Sequence, residues 1–385
     1  MSKFSKAFAE ERKDSEITLV TEAIIADIKE GKSLKYDSLS LRDIAESTLG
    51  YKGCAILRDA NMRKVSEAVA PVRLSAFSRI TNEIVSQAGI EGFQSPDFIG
   101  DQLTTAENSN DDNGRLIGIE PMDDEAMEVR EGHEYPSAQL SEDFLTVPTS
   151  KKVGLRIGLT KEAVFFDKTG QLIQRAKEIA GRVGLAKEKR TLRIVLGIDN
   201  SYNRKDVSRN TYVASADPRI NSFTGRTLDD WTAIEDAEQS FADYVDDRTT
   251  GEPVDIGATM LIVPQDLKTS GSRIMNTLEV RTINGAQEMI TKNPISVGGM
   301  ISSAWIRWML VNEGGIAIAD ARKYWYYGNP KKAFTYRTIF PFSMIEAGQS
   351  HDAYFDSDIV NQWRAMERGV AYVAAPWYMQ KNIGA

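Results

Sequence analysis

Residues 150–200 read SKKVGLRIGLTKEAVFFDKTGQLIQRAKEIAGRVGLAKEKRTLRIVLGIDN, and two periodicities meet inside them. Val153, Leu155, Ile157 and Leu159 fall at every second position, the spacing of a half-buried strand. From Lys168 onward the apolar positions are Leu172, Ala176, Ile179, Val183, Ala186, Leu192 and Val195, which is helical spacing. A helix over 168–196 would be about 43 Å long at about 1.5 Å per residue. Asp167 or Thr169 is placed to cap it, and Gly181 and Gly184 weaken it locally, leaving room for a bend. The other face is basic: Lys168, Arg175, Lys177, Arg182, Lys187, Lys189, Arg190 and Arg193 stand against Glu178 and Glu188. A strand feeding a long, one-sided, basic helix expects material against both faces.

With 385 residues, 42% of them hydrophobic, the chain can bury two sizeable cores, and two subdomains are expected. The single cysteine, Cys54, excludes an internal disulfide and reads as a small apolar filler. The two histidines, His133 and His351, leave little material for a zinc site. No apolar run approaches the ~18 residues of a membrane span, so no membrane partner is expected. The net charge of −8 does not suit a dedicated nucleic-acid binder. Its distribution says more: Glu120, Asp123, Asp124, Glu125, Glu128, Glu131, Glu134, Glu142 and Asp143 face only Arg130 within residues 120–147. That segment alone is as negative as the whole chain, and it directly precedes the basic helix.

Along the chain, residues 15–29 predict a helix with Ile17, Val20, Ile24, Ile25 and Ile28 on one face and Ser15 as cap. A short helix fits 40–49, and 62–88 is helical in pattern with a break at Pro71. Regularity vanishes over 89–148, a length that suits a functional extension. Within it, residues 109–114 (SNDDNG) with Glu120 approach a calcium loop through Ser109, Asp111, Asn113 and Glu120. Ser109 stands where such loops have Asp, and no helices flank it, so a polar turn is the better reading and no metal or cofactor is expected. Residues 199–227 read as loop with short strands, 228–245 as an amphipathic helix, and 258–264 as a strand running into a helix. Residues 293–315 look strand-like around Trp305, Trp308 and Leu310. Residues 323–337 interleave aromatic and basic side chains, which fits an interface or core better than nucleic acid in so acidic a chain. Residues 359–380 alternate, with Trp363, Ala365 and Glu367 on one face, Arg364, Met366 and Arg368 on the other, and a break at Gly369. No G-x-S-x-G, H-E-x-x-H, C-x-x-C or glycine-rich phosphate cradle occurs, so no enzyme is expected.

The order of parts resembles the major capsid proteins of tailed bacteriophages, the Hong Kong 97-type fold. The resemblance rests on the acidic stretch ending in EYPSAQLSEDF (134–144), the strand 152–159, the segment TKEAVFFD (160–167) and the long helix. Residues 258–267 and the ending 355–372 extend it. It implies an α+β chain with an N-terminal helical arm (1–95) and an extension loop (96–152). A peripheral domain (153–227) would hold the spine helix at about 168–196, followed by an axial domain (228–348) and closing peripheral strands (349–385). It also implies hexamers and pentamers of this chain, an icosahedral head around double-stranded DNA, and portal, scaffolding or decoration proteins as further partners. Synthesis would be in the host bacterial cytoplasm and the final location the virion capsid.

In such shells the extension loop of one subunit lies across the spine helix and peripheral domain of its neighbour. Here that would set Asp123, Asp124, Glu125 and Glu128 against Arg175, Lys177, Arg182, Lys187 and Arg190. Some members cross-link this loop through lysine; residues 120–150 contain none, so that chemistry is not expected. Some lose an N-terminal leader; a sequence opening at Met1 leads us to expect an intact arm. Three other readings compete: an encapsulin-like compartment holding protein cargo, a soluble enzyme, and a nucleic-acid binder acting through the basic helix.

Overall fold

The computed structural model describes residues 14–30, 48, 71–95, 97–112, 114–119, 142–160, 171–215, 220–244, 255–284, 287–293, 295, 297–347 and 359–385. In chain order the helices are α1 (Asp14–Glu30), α2 (Pro71–Phe93), α3 (Gly100–Leu103), α4 (Gln171–Val195) and α5 (Thr232–Ala242). After them come α6 (Lys268–Asn276), α7 (Ala304–Asn312), α8 (Ile318–Ala321) and α9 (Pro330–Ala333). The first strands are β1 (Thr105–Asn108), β2 (Arg115–Ile119), β3 (Glu142–Thr146), β4 (Lys151–Thr160), β5 (Ser201–Arg204), β6 (Val207–Asn210) and β7 (Ser222–Thr224). The later ones are β8 (Met260–Pro264), β9 (Glu279–Asn284), β10 (Gln287–Lys292), β11 (Met300–Ser303), β12 (Tyr324–Gly328), β13 (Phe334–Ala347), β14 (Ile359–Val373) and β15 (Met379–Ile383). Helices and mixed sheets share the chain, the α+β class expected. It divides into two compact units, one of Met1–Phe98, Lys152–Ala186 and Phe340–Arg368, the other of the remainder.

The first unit buries Ile17 and Ile28 of α1 against Ala76, Ile80, Ile84, Val85 and Ala88 of α2. Ile173 and Ala176 of α4 and Trp363 of β14 complete this core, and the Trp363 indole N–H donates to Asn82 at 3.2 Å. The helix expected over 62–88 is described from Pro71 and runs on to Phe93; proline suits a first turn, where its missing N–H has no partner to lose. The helix α4 runs unbroken through Gly181 and Gly184. A side chain at Gly184 would lie 2.5 Å from the Phe93 carbonyl, and one at Gly92 2.1 Å from the Lys177 carbonyl. The glycines let α2 and α4 touch backbone to backbone. On β14 the predicted alternation holds: Trp363, Ala365 and Glu367 are buried, Arg364 is exposed, and Met366 and Arg368 are half-buried. The strand does not break at Gly369 but continues to Val373.

The second unit is built on a five-stranded sheet in the order β11-β8-β12-β15-β7. Every residue of β12 is buried, so the aromatic part of the 323–337 stretch is core, while Lys331 and Lys332 beyond it are exposed. Tyr324 and Tyr326 pack with Leu192, Val195, Ile306 and Leu310. Trp325 and Tyr327 point the other way, onto Ile234, Ala237 and Phe241 of α5. Three of the polar tips are satisfied within the core: Tyr326 donates to the Leu196 carbonyl at 3.0 Å, Trp325 to that of Arg226 at 2.8 Å, and Tyr327 to Glu238 at 2.7 Å. Such a two-sided strand is a central one.

The strand-to-helix step at β8 is found as expected. The strand-like reading of 293–315 needs correction: among the described residues there only β11 is a strand, and Trp305, Trp308 and Leu310 lie on α7. Buried Ile306, Met309 and Leu310 follow helical spacing, and the Ser303 hydroxyl caps the helix by accepting from Trp305 N–H. The helix expected over 228–245 is shorter, Thr232–Ala242. The irregular stretch expected over 89–148 holds the end of α2, then α3, β1, β2 and β3; each of the last four has five residues or fewer, too short to leave a periodic signal. The helix expected at 40–49 falls outside the described residues except for Thr48, and the Asp167 or Thr169 cap falls outside them altogether.

Candidate functional site

Within the first unit, Arg175 and Arg182 of α4 are exposed, while the Lys177 ammonium lies 2.9 Å from the Glu91 carboxylate. From Lys187 onward α4 belongs to the second unit. The Lys187 ammonium is 2.6 Å from Asp101 and 4.9 Å from the Tyr336 ring. Lys189 reaches Glu313 at 3.3 Å and lies over Trp308. Arg190 donates to the backbone carbonyls of Lys151 and Gly369 at 3.1 and 2.7 Å. Arg193 forks onto Asp199 with two bonds of 2.8 Å and reaches Glu313 at 3.1 Å. The hydrogen bonds to Asp199 hold the Arg193 pKa above its ordinary value. Of the five cations expected to meet a neighbour's loop, Lys177, Lys187 and Arg190 are therefore engaged by their own chain.

Glu188 carries the opposite charge on the same helix and is buried. Its carboxylate accepts the backbone N–H groups of Ile99 and Gly100 at 3.0 and 2.8 Å, pinning the start of α3 to α4. Burial pushes its pKa up, only partly offset by those two donors; Asp101 adds to the rise and Lys187 opposes it. The folded state thus binds this proton more tightly than the unfolded one. Stability assigned to Glu188 is full below the unfolded pKa of about 4.3 and declines as pH rises through the folded value. The Glu188→Gln variant should gain melting temperature relative to wild type as pH is raised from about 4 to about 7. Parallel pH–melting curves for the two proteins would contradict this.

The acidic segment is held at its base by a second sheet, β2-β3-β5-β6. β2 and β3 pair antiparallel from Arg115↔Thr146 to Ile119↔Glu142, and β3 pairs with β5. Asp143 on β3 is locked by Arg204 of β5, whose guanidinium also lies 5.3 Å from the Trp377 ring centre. Lys205 and Asp206 close the β5–β6 hairpin with φ of 50° and 58°, as a tight two-residue turn requires. Asp206 then pairs with Arg115 at 3.0 Å. Asp123, Asp124, Glu125 and Glu128 lie outside the described residues, as do Asn113, Glu120, His133, His351 and Cys54. At the calcium-like stretch, the Ser109 hydroxyl accepts from Asp111 N–H at 3.1 Å, and Asp112 accepts from Ser150 N–H at 3.2 Å. The first is the bond of a polar turn, and the second ties that turn to the residue before β4. Among the described residues no group of three or more His, Cys, Asp or Glu is placed to hold a metal ion.

One surface of the first unit stands out. Here the strands adjoin in the order β13-β14-β4. A side chain at Gly154 would meet the Met366 Cβ at 3.3 Å, so these two residues share a face. Side chains two apart on a strand share a face too, which places Lys152 and Arg156 of β4 beside Arg364 and Arg368 of β14. The opposite face carries Ile157 and Trp363 into the core. Lys152, Arg156 and Arg364 are exposed.

Residues 144–382 match the family model described as phage capsid protein. The chain belongs to the phage capsid protein family. The match begins in β3 and ends in β15, taking in α4 and both long strands β13 and β14. It bears out the capsid resemblance read from the sequence, and with it a structural role.

Among solved structures, this capsid protein is similar to the Cyanophage Pam1 capsid asymmetric unit, at 10% identity and a TM-score of 0.45 over 74% of this chain and 89% of that one. The Mycobacterium phage Bobi structure gives 12%, 0.43, 75% and 90%. A virus-like particle from Pyrococcus furiosus gives 11%, 0.41, 78% and 98%. No curated protein matches the chain. No described helix of the capsid protein is long and apolar enough to cross a membrane. Sequence reasoning places Arg364, Met366 and Arg368 together on one face of β14. It misses their alignment with Lys152 and Arg156, whose only sequence signal is a cation at alternate positions of a glycine-containing strand.

Proposed function

We propose that this capsid protein self-assembles as a Hong Kong 97-type shell subunit, in hexamers and pentamers of an icosahedral phage head that encloses double-stranded DNA. The family match carries this reading. The order of β2 and β3, then β4, then α4 supports it, since it follows the extension loop, returning strand and spine helix of that fold. In this reading 1–95 is the arm, 96–152 the extension loop, 153–227 and 349–385 the peripheral domain, and 228–348 the axial domain. Portal, scaffolding or decoration proteins would act on the assembled shell, in the host cytoplasm and then in the virion.

Negative-stain microscopy of the purified full-length protein, alone and from phage-infected cells, tests it. Closed shells with nuclease-protected DNA are expected from infected cells. Shells filled with protein cargo would point to a compartment instead, and a protein that stays monomeric in both preparations overturns the proposal.

A further inference from the structure

The last strand of the chain sets two amides against α5. β15 lies between β12 and β7, with Gln380 opposite Tyr327 and Asn382 opposite Trp325 and Phe223. Directly paired residues share a face, so both amides point the way Trp325 and Tyr327 do, toward α5. Both are fully buried. Gln380 Nε2 donates to the Ala237 carbonyl of α5 at 3.1 Å. Its Oε1 and both amide atoms of Asn382 have no hydrogen-bonding partner among the described residues. Arg226 stands beside them: its backbone N–H donates to the Ile383 carbonyl, and its own carbonyl accepts the Trp325 indole. Its guanidinium lies 3.7 Å from the Phe223 ring centre and donates through Nη2 to Ser240, one turn beyond Ala237 on α5. The other terminal nitrogen, Nη1, is buried and has no partner among the described residues.

A buried polar atom left unpaired destabilises a fold, and native cores rarely keep one. These four atoms form two pairs of opposite kind. Asn382 Nδ2 and Arg226 Nη1 donate, while Asn382 Oδ1 and Gln380 Oε1 accept. That set is the complement of one water molecule, which offers two hydrogens and two lone pairs. An anion there would face the two amide oxygens, and a cation would face the guanidinium. Arg226 also has a carboxylate acting on its charge: burial pulls its pKa down, and Asp236 of α5 pulls it back up. We propose that the place framed by Asn382, Gln380, Arg226 and α5 is a hydration site, whose ordered water ties β15 and the segment after β7 to the helix. Internal waters make about three hydrogen bonds to groups that the protein leaves unpaired, and here four are offered. The site lies within one subunit, so it stands apart from the shell reading.

High-resolution crystallography of the full-length protein soaked in bromide reads the occupant directly. A water-sized peak without anomalous signal is expected, within about 2.7–3.2 Å of at least three of the four atoms. An anomalous peak on Arg226 would make this an anion site, and amides bonded straight to protein with nothing between them would make it dry. Either result overturns the proposal. Melting curves give a second arm, in which the direction of the change decides. Asn382→Leu keeps the side-chain volume close and removes both amide atoms. If water pairs that amide, the substitution strands Gln380 Oε1 and Arg226 Nη1, and the melting temperature should fall by about 2–4 °C. If the amide is simply unpaired, leucine is the better core residue. The melting temperature then rises, and the proposal falls. Gln380→Met is the companion variant. Because both amides hold one water, the double variant should lose less than the two single losses together; fully additive losses overturn the shared site. Should a variant not fold, the diffraction result decides alone.

Discussion

Gly92→Ala should lower the stability of the first unit by about 1–3 kcal/mol, read as a fall in denaturation midpoint at constant slope. The added methyl would lie 2.1 Å from the Lys177 carbonyl oxygen and 2.9 Å from its carbon. Both are backbone atoms of α4, so no side chain can swing aside. The helices must separate, and separation strips contact from Ala88, Ile173 and Ala176 in the core beneath. Gly184→Ala strikes the same crossing from the other helix, at the Phe93 carbonyl. Once one substitution has parted the helices the second costs less, so the double variant should lose less than the two single losses together. A methyl at Gly299 would meet no atom within 4 Å, and Gly299→Ala is the control, expected within about 0.5 kcal/mol of wild type. Equal midpoints for Gly92→Ala and that control would contradict the packing account.

Arg337→Met carries the largest expected loss, about 3–5 kcal/mol. Arg337 and Glu107 are direct partners in the parallel pairing of β1 with β13, joined at 3.0 and 3.2 Å. The arginine side chain is only 4% exposed, and the Tyr372 hydroxyl donates to the same carboxylate at 2.7 Å. Removing the arginine leaves Glu107 charged beside an apolar side chain. Glu107→Gln added to Arg337→Met should recover much of the loss, because the stranded charge disappears. Burial works against the Glu107 charge, but the bonds from Arg337 and Tyr372 outweigh it and hold its pKa below the usual range. A carboxylate of that kind contributes stability above its unfolded pKa of about 4.3 and loses it as pH falls through the lower folded value. The gap between wild type and Arg337→Met should therefore be widest near neutrality and close in acid. A gap independent of pH would show that lost packing, not the ion pair, is responsible.

What the sequence made legible was local. The alternation of β4 and β14, the helical spacing of α4 and the step from β8 into α6 all declare themselves within a window of a dozen residues. The surface cations were legible as charges but not as commitments. Lys187 meets Asp101, and Arg190 meets the carbonyls of Lys151 and Gly369, partners far off in the chain that no pattern in α4 announces. The packing role of Gly184 was hidden for a similar reason: in the sequence, a glycine spared for a neighbouring helix reads the same as one placed for a bend. Trp305 and Trp308 looked like strand residues because aromatics favour strands, while the helical spacing of Ile306, Met309 and Leu310 carried the better signal. The cationic face needed two strands, distant in sequence, to be laid side by side.

β14 sends Trp363, Ala365 and Glu367 inward and Arg364, Met366 and Arg368 outward, with no exception along that run. A strand of this kind keeps count. Losing or gaining one residue between Trp363 and Gly369 would turn every later side chain over, delivering arginine to the core and tryptophan's neighbours to the surface. Its length is therefore held as tightly as its composition. Insertions that this chain can absorb in evolution are those made in pairs, or in the connections before and after the strand.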